Sequence, residues 1–93
     1  MIRSFSSKET EKIWNGLRSP KFPFEIQDVA RRKLRMLSNS VDLKDLAVPP
    51  SNRLEKLRGA HKEYHCIRIN DQWRIVFKWI NGHSFCVEII DYH

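Results

Sequence analysis

The sequence has little glycine, little cysteine and no long hydrophobic run, and each scarcity excludes a class of protein. Its three glycines are scattered, so it has no glycine-rich loop of the kind that cradles a nucleotide phosphate. Its two cysteines, Cys66 and Cys86, are too few for a disulfide framework and lie within apolar stretches, which predicts reduced, buried thiols. No apolar run approaches the length that a membrane-spanning helix requires, so no membrane partner is expected.

Acidic residues are also scarce relative to basic ones. Seventeen Lys and Arg against eleven Asp and Glu give a net charge of +6 at pH 7. A compact basic domain attracts polyanions, of which nucleic acid is the commonest. A basic but merely soluble protein has the same balance, so charge alone does not assign a function. Charged residues, rather than an apolar signal segment, follow Met1 to Phe5, which favours a cytoplasmic location.

The length of 93 residues predicts a single domain over 1–93, because two halves would each be too small to sustain a core. The N-terminal half predicts helices. One begins at Ser6-Ser7-Lys8-Glu9, which has capping-box spacing, and a second runs from Phe24 to about Asn39 with its apolar residues on one face. Val41 to Leu46 favours a further helical turn, and Ile2 to Phe5 a short first strand.

The C-terminal half predicts strands separated by tight turns. The predicted strands are Arg53 to Leu57, ended by Gly59, then Tyr64 to Ile69, Trp73 to Ile80 and Ser84 to Ile90. Asn81-Gly82 between the last two is a strong hairpin signal. The fold class is therefore α+β, with N-terminal helices packed on one face of a mainly antiparallel sheet of about four to five strands.

Two basic residues interrupt apolar patterns. Lys33 lies inside the apolar arc of the second helix and must pair or extend to solvent, while Arg31, Arg32 and Arg35 form a solvated basic face. Arg74 interrupts an apolar central strand, and a buried guanidinium is costly unless it meets an anion. That anion is either a substrate phosphate or a structural partner, for which the candidates are the two carboxylates of the last strand, Glu88 and Asp91.

Basic side chains on the predicted strands and beside them form a further candidate site. They are Lys56, Arg58, Lys62, Arg68 and Arg74. Because adjacent strands lie only about 4.8 Å apart, these side chains can converge on one concave face. Such a cluster would position an RNA backbone and stabilise the charge that builds on a phosphorus during displacement.

The tripeptide Asp91-Tyr92-His93 follows the last predicted strand directly and carries three groups that exchange protons. A strand places the residues at its end on the margin of the sheet, where a substrate can reach them. Histidine titrates nearest to neutral pH. The alternative interpretation is a polar chain end that only frays.

The histidines and cysteines do not predict a metal or thiol site. His61 and His65 would be adjacent on a helix, but a loop entering a strand separates them by about 13 Å. Cys66 is flanked by apolar residues and is predicted to be an inert core thiol. We therefore expect neither a metal nor a cofactor.

Three segments together resemble the HigB toxins of bacteria. They are Asn52 to Gly59 (NRLEKLRG), Ile67 to Phe77 (IRINDQWRIVF) and Val87 to His93 (VEIIDYH). HigB toxins belong to the RelE superfamily of type II toxin–antitoxin toxins, also called plasmid-maintenance killer proteins. The resemblance covers nearly the whole chain and implies a RelE-like fold. It also implies a ribosome-dependent mRNA endoribonuclease that inhibits translation.

The resemblance implies a reaction in which the substrate supplies its own nucleophile. The ribose 2′-hydroxyl attacks the neighbouring phosphate in line, and the 5′-hydroxyl of the next nucleotide leaves, without a metal. His93 would then be the proton-transfer group, with Asp91 and Tyr92 supporting it or handling the substrate. Arg74 would stabilise charge on the phosphorane, and Arg68, like Arg58, would grip the backbone.

The chain departs from the family pattern at Glu55, where some HigB toxins have a catalytic histidine. A carboxylate can act as a general base, but it also repels an incoming phosphate. Either Glu55 takes that role or His93 carries more of the work. RelE-type members have lysines where this chain has Tyr64, His65 and Cys66, so their mechanism transfers only in outline.

The resemblance implies partners as well as a reaction. These are a HigA-like helix-turn-helix antitoxin, the ribosome and mRNA, with DNA reached only indirectly through the antitoxin complex. Two alternatives stay open. One is a non-catalytic RNA-binding module that uses the basic face of the second helix, and the other is a protein-interaction domain whose basic faces dock an acidic partner.

Overall fold

The structure, a computed structural model, describes residues 1–57 and 63–92, and from the first helix onward their helices and strands follow the predicted order. The helices are α1 (Lys8–Trp14) and α2 (Phe24–Asn39), followed by short 3-10 helices at Leu43–Ala47 and Pro50–Asn52. The strands are β1 (Glu55–Lys56), β2 (Tyr64–Arg68), β3 (Trp73–Ile80) and β4 (His83–Asp91). The predicted α+β class is confirmed. Gly59, predicted to end the first strand, lies outside the described residues.

The strands form one sheet in the order β1-β2-β3-β4, with every neighbouring pair antiparallel. Asn81 and Gly82 connect β3 to β4 with φ angles of 51° and 81°. Positive φ at both central residues is what a type I′ hairpin turn requires, so the predicted hairpin is confirmed. β3 is an interior strand of the sheet, as its nearly continuous apolar run predicted.

The core lies between the two helices and one face of the sheet. Its buried members are Ile13, Ile26, Ala30, Leu34, Leu37, Leu46, Ile67, Ile69, Ile75, Phe77, Val87 and Ile89. Because side chains alternate along a strand, Ile75 and Phe77 of β3 face the helices, whereas Arg74 and Val76 face the other way. We call this other side the far face. By strand register it carries Glu55, Tyr64, Cys66, Arg68, Arg74, Val76, Lys78, Glu88, Ile90 and Tyr92.

The N-terminal segment Ile2 to Phe5 is not the strand that its alternation predicted. It forms only isolated parallel bridges, to Ser84 and to Val87. Between these two residues Cys86 has a φ of 55°, and the pairing of β3 with β4 shifts register there. Such a bulge interrupts the ladder, so the N-terminal segment cannot pair continuously along β4.

Helix α1 begins one residue later than the capping-box pattern predicted. Ser7, rather than Ser6, is the N-cap, and its hydroxyl accepts a hydrogen bond from the Thr10 amide at 3.2 Å. A capping box needs its acidic residue three positions after the cap, and Thr10 occupies that position. Glu9 instead accepts a hydrogen bond from the Ser19 hydroxyl.

Arg31 belongs to the interface between the two helices rather than to a solvated basic face. Its Nε donates to the Ile13 carbonyl at 2.8 Å and its Nη2 to the Leu17 carbonyl at 3.1 Å. These carbonyls lie in the last turn of α1 and just beyond its end, and the Ile13 carbonyl also accepts from the Gly16 amide at 3.1 Å. The predicted basic face is therefore wrong for Arg31, whereas Arg32 and Arg35 are exposed.

Lys33, the lysine inside the apolar arc of α2, is paired as predicted. Its ammonium donates to the side-chain oxygen of Asn52. Burial lowers the pKa of Lys33, and the neighbouring charges of Arg32 and Arg68 lower it further. Asn52 is itself fully buried and donates to the Leu46 carbonyl at 3.1 Å, so this amide joins α2 to both 3-10 helices.

We expect the substitution Asn52→Leu to lower the free energy of unfolding by about 2 kcal/mol, because it leaves the Leu46 carbonyl buried without a donor. The cost should fall by about 0.5–1 kcal/mol in a Lys33→Met background, since no ammonium then loses its partner. Equilibrium unfolding in urea of the wild type, both single variants and the double variant measures both quantities. Equal costs in the two backgrounds would contradict the pairing of Lys33 with Asn52.

Candidate functional site

Arg74 is a buried cation on the far face. Only 8% of its surface is exposed, and its Nε and Nη1 atoms have no hydrogen-bond partner among the described residues. Its guanidinium carbon lies 5.0 Å from the ring centroid of Tyr92, a cation–π contact. Neither of these two nitrogens forms the structural ion pair with Glu88 or Asp91 that the sequence also allowed. Buried N–H donors without an acceptor make this position suited to an anion.

The strand register explains how Arg74 and Tyr92 meet. Arg74 pairs with Arg68 on β2 and with Ile90 on β4. Tyr92 is two residues beyond Ile90, so alternation directs it to the same face. The amide of Tyr92 donates to the Gln72 carbonyl at 2.6 Å, which ties the end of β4 to the turn that precedes Arg74.

The C-terminal tripeptide does not act as one block. Tyr92 lies beside Arg74 and is 37% exposed. Asp91 pairs in register with Trp73, so its side chain leaves the sheet on the side opposite to Arg74, and it accepts a hydrogen bond from Gln72 Nε2 at 3.0 Å. His93 lies outside the described residues.

Glu55 reaches the far face from β1. It is exposed and pairs in register with Cys66, which is buried. Burial raises the pKa of the Cys66 thiol, the charge of Glu55 raises it further, and Arg74 acts in the opposite sense. This direction agrees with the predicted inert thiol. One strand separates Glu55 from β3, so it lies roughly 10 Å from the strand that carries Arg74.

The predicted convergence of basic side chains on one face is wrong for Lys56. Lys56 pairs in register with His65, whose ring stacks on Phe77 at a centroid distance of 6.2 Å. Phe77 is part of the core, so Lys56 emerges on the side of the helices, opposite to Arg74. Alternation along β1 makes this unavoidable, because the far face is already occupied by Glu55. Arg58 and Lys62 lie outside the described residues.

Arg68 is turned away from Arg74 although the two residues are register partners. Its guanidinium binds the carboxylate of Asp71, and this hydrogen bond lowers the pKa of Asp71. Arg68 also lines a separate cavity of about 340 Å³ together with Arg32 and Lys33. Of the predicted basic cluster, Arg74 therefore lies on the far face, whereas the Arg68 side chain lies at this separate cavity.

Sequence reasoning missed a cavity on the far face next to Arg74. It has a volume of about 290 Å³ and is lined by Leu57, Tyr64, Val76, Glu88 and Ile90. Two of these residues, Tyr64 and Glu88, have polar side-chain atoms. The alternation of side chains along β3 is enough to predict that Val76 lies on the same face as Arg74. The other lining residues come from other parts of the sheet, so only the pairing of the strands shows that they line the same cavity.

Metal-binding geometry is not found in the described part of the chain. Residues 1–57 and 63–92 contain no group of three or more His, Cys, Asp or Glu side chains placed to hold an ion. His65 stacks on Phe77, and burial followed by the charge of Lys56 lowers the pKa of its imidazole. His61, the other member of the spaced pair, lies outside the described residues. Within the same residues, no helix is long and apolar enough to cross a bilayer.

Comparison with known proteins identifies the family. Residues 3–93 match the RelE-like toxins of the type II toxin–antitoxin system HigB. The chain belongs to this family. Toxin HigB-1 of Vibrio cholerae is 35% identical over 83 residues, which cover 88% of this chain and 87% of that toxin. Endoribonuclease HigB of Proteus vulgaris is 26% identical over 93 residues, the whole of both chains.

The solved structure of YafQ from Escherichia coli has the same fold as this HigB-like toxin. The TM-score is 0.65 at 14% sequence identity, and the match covers 98% of this chain and 91% of YafQ. The HigB resemblance and the RelE-like fold that the sequence predicted are thus confirmed. Membership of a type II system implies an antitoxin as partner. The predicted enzyme class, an endoribonuclease, is the class named for the Proteus relative.

Proposed function

We propose that this toxin is an endoribonuclease that cleaves mRNA on the ribosome and thereby inhibits translation. The observation that carries the proposal is Arg74, a buried guanidinium with two unpartnered nitrogens beside the ring of Tyr92. Such a group is placed to receive a phosphate oxygen. The net charge of +6 favours a polyanionic substrate, and the name of the Proteus relative supports the reaction class.

In the proposed reaction the RNA supplies the nucleophile. The 2′-oxygen forms a bond to the adjacent phosphorus, the bond from phosphorus to the 5′-oxygen breaks, and the products carry a 2′,3′-cyclic phosphate and a 5′-hydroxyl. Arg74 donates hydrogen bonds to the non-bridging oxygens, where negative charge grows in the transition state. His93 gives a proton to the departing 5′-oxygen.

Other predicted residues take supporting roles in this proposal. Glu55 lies on the same face as Arg74 and is the candidate acceptor for the 2′-hydroxyl proton. Tyr92 covers the guanidinium and orients the substrate. Asp91 holds the Gln72 side chain at the end of β4 and so positions Tyr92 rather than contacting the phosphate.

Backbone contacts and protein partners complete the proposal. Arg68 and Lys56, with Arg58 and Lys62, would contact RNA away from the scissile phosphate. A HigA-like helix-turn-helix antitoxin would neutralise the toxin, and DNA would be bound only through that complex. The alternative of a non-catalytic RNA-binding module is weakened, because Arg31 of its basic face is engaged with the end of α1.

Primer extension on a reporter mRNA during induced expression tests the function directly. We expect new 5′ ends within translated codons of the wild-type reporter, because the ribosome presents the RNA. A matched reporter without a start codon should remain intact. Equal cleavage of both reporters would contradict ribosome dependence, and intact RNA in both would contradict the endoribonuclease proposal.

A further inference from the structure

The cavity beside Arg74 is a feature of the far face that the proposed reaction does not use. Its volume of about 290 Å³ is close to roughly 300 Å³, the lower end of the range for small-ligand sites. It therefore fits one small planar group better than an extended ligand. The reaction supplies such groups, because every phosphate in RNA is flanked by two bases.

The cavity is placed where a base next to the bound phosphate would lie. Ile90, one of its walls, is the register partner of Arg74, and Val76, another wall, is two residues further along β3 on the same face. The cavity thus begins directly beside the guanidinium. A phosphate held at Arg74 would carry one of its two nucleosides over the cavity.

The walls of the cavity suit the faces of a base. Leu57, Val76 and Ile90 provide apolar surface, and Tyr64 provides an aromatic ring. Unstacked bases in single-stranded RNA bind to such surfaces by stacking, whatever their identity. These four side chains would therefore bind a base of any identity and would not choose among bases.

Glu88 is the acidic residue in this lining, and its position calls for an explanation. A carboxylate repels RNA phosphates, so it weakens binding unless it meets a hydrogen-bond donor of the substrate. The Ser6 hydroxyl lies 3.1 Å from Glu88 Oε1 and also 3.1 Å from the Cys86 carbonyl at the β4 bulge. Among the described residues, no lysine or arginine nitrogen lies within the 4.0 Å of an ion pair with Glu88. The carboxylate thus retains lone pairs for a ligand.

We propose that this cavity binds a base adjacent to the scissile phosphate and that Glu88 selects guanine there, an inference that rests on the proposed function. Guanine presents two neighbouring N–H donors on its Watson–Crick edge, which match the two oxygens of a carboxylate. Adenine and cytosine present an amino group next to a ring-nitrogen acceptor. Uracil presents one N–H between two carbonyl oxygens, which a carboxylate repels.

The test compares cleavage at reporter sites that differ only in the base flanking the cut. Wild type is expected to favour guanine over uracil by about tenfold, the effect of one good bidentate contact. Glu88→Gln replaces one acceptor oxygen by an amide donor, so preference should move from guanine to adenine and cytosine. The control Glu25→Gln removes the same charge from the start of α2 and should keep the wild-type order of bases.

Binding of nucleoside 5′-monophosphates measures the base preference of the cavity independently of RNA cleavage. Wild type should bind the guanosine monophosphate most tightly, with NMR shifts at the Val76 and Ile90 methyl groups, and Glu88→Gln should lose this preference. If selective binding is found without mRNA cleavage, the proposed function fails and the base site stands. An unchanged order of bases in Glu88→Gln would overturn the assignment of Glu88. An equal loss of cleavage at all four bases would also overturn it, because that result indicates a role in proton transfer.

Discussion

Replacing Arg74 by methionine is expected to reduce mRNA cleavage by about 10²-fold or more while leaving the protein at least as stable as the wild type. The loss of rate follows because the Arg74 guanidinium is the group proposed to donate to the phosphate oxygens as charge develops. Stability should rise by about 1–2 kcal/mol, because Nε and Nη1 of Arg74 are buried without partners in the free protein. Methionine fills a similar volume without buried donors.

Two measurements on the same preparation separate these effects. Single-turnover cleavage on programmed ribosomes gives the rate, and equilibrium unfolding in urea gives the stability. Arg35→Met is the matched control, because it removes an exposed arginine from α2 and should change neither quantity by much. If Arg74→Met cleaves mRNA at the wild-type rate, Arg74 has no role in the reaction. If its free energy of unfolding falls by several kcal/mol, the guanidinium has a partner in the free protein.

Replacing His93 by alanine is expected to reduce cleavage by about 10²- to 10⁴-fold, the range for loss of a general acid. The departing 5′-oxygen is strongly basic and needs a proton at the moment the bond breaks, and imidazole titrates closest to neutral pH. In wild type, cleavage should fall as the pH rises through the histidine pKa, because the acid form is then lost. The variant should lack this limb of the pH profile.

A modified substrate distinguishes proton donation from other roles of His93. A sulfur atom in place of the bridging 5′-oxygen leaves without a proton, so it should restore cleavage by His93→Ala but not by Arg74→Met. Cleavage by folded His93→Ala at the wild-type rate on the natural substrate would rule out the assigned role.

Local patterns were sufficient to predict most elements of this fold, although not the bridges of Ile2 to Phe5. The helical period of α2, the apolar run of β3 and the Asn81-Gly82 turn depend on residues close in sequence, so each could be read directly. The importance of Arg74 was likewise visible, because a cation inside an apolar strand is anomalous wherever the strand lies.

The faces of the sheet and the ends of the helices were harder to predict. A shift of one residue exchanges the two sides of a strand, and β1 is too short to show which side its residues occupy. Lys56 and Asp91 therefore emerge away from Arg74, although both lie next to far-face residues. The hydrogen bonds of Arg31 depend on the packing of α2 against α1, which no pattern within α2 reveals.

Short-range chemistry in the chain thus accounts for the helices, the antiparallel strands, the hairpin and the anomalous arginine, since these depend on backbone preferences and on the cost of burying charge. The composition of the site depends on contacts between residues far apart in the chain. Strand pairing brings Glu88 and Tyr64 to one cavity beside Arg74, whereas the Arg68 side chain, bound to Asp71, lines another. Register and side-chain direction are set by packing of the whole domain, so only the folded structure reveals which polar groups share a site.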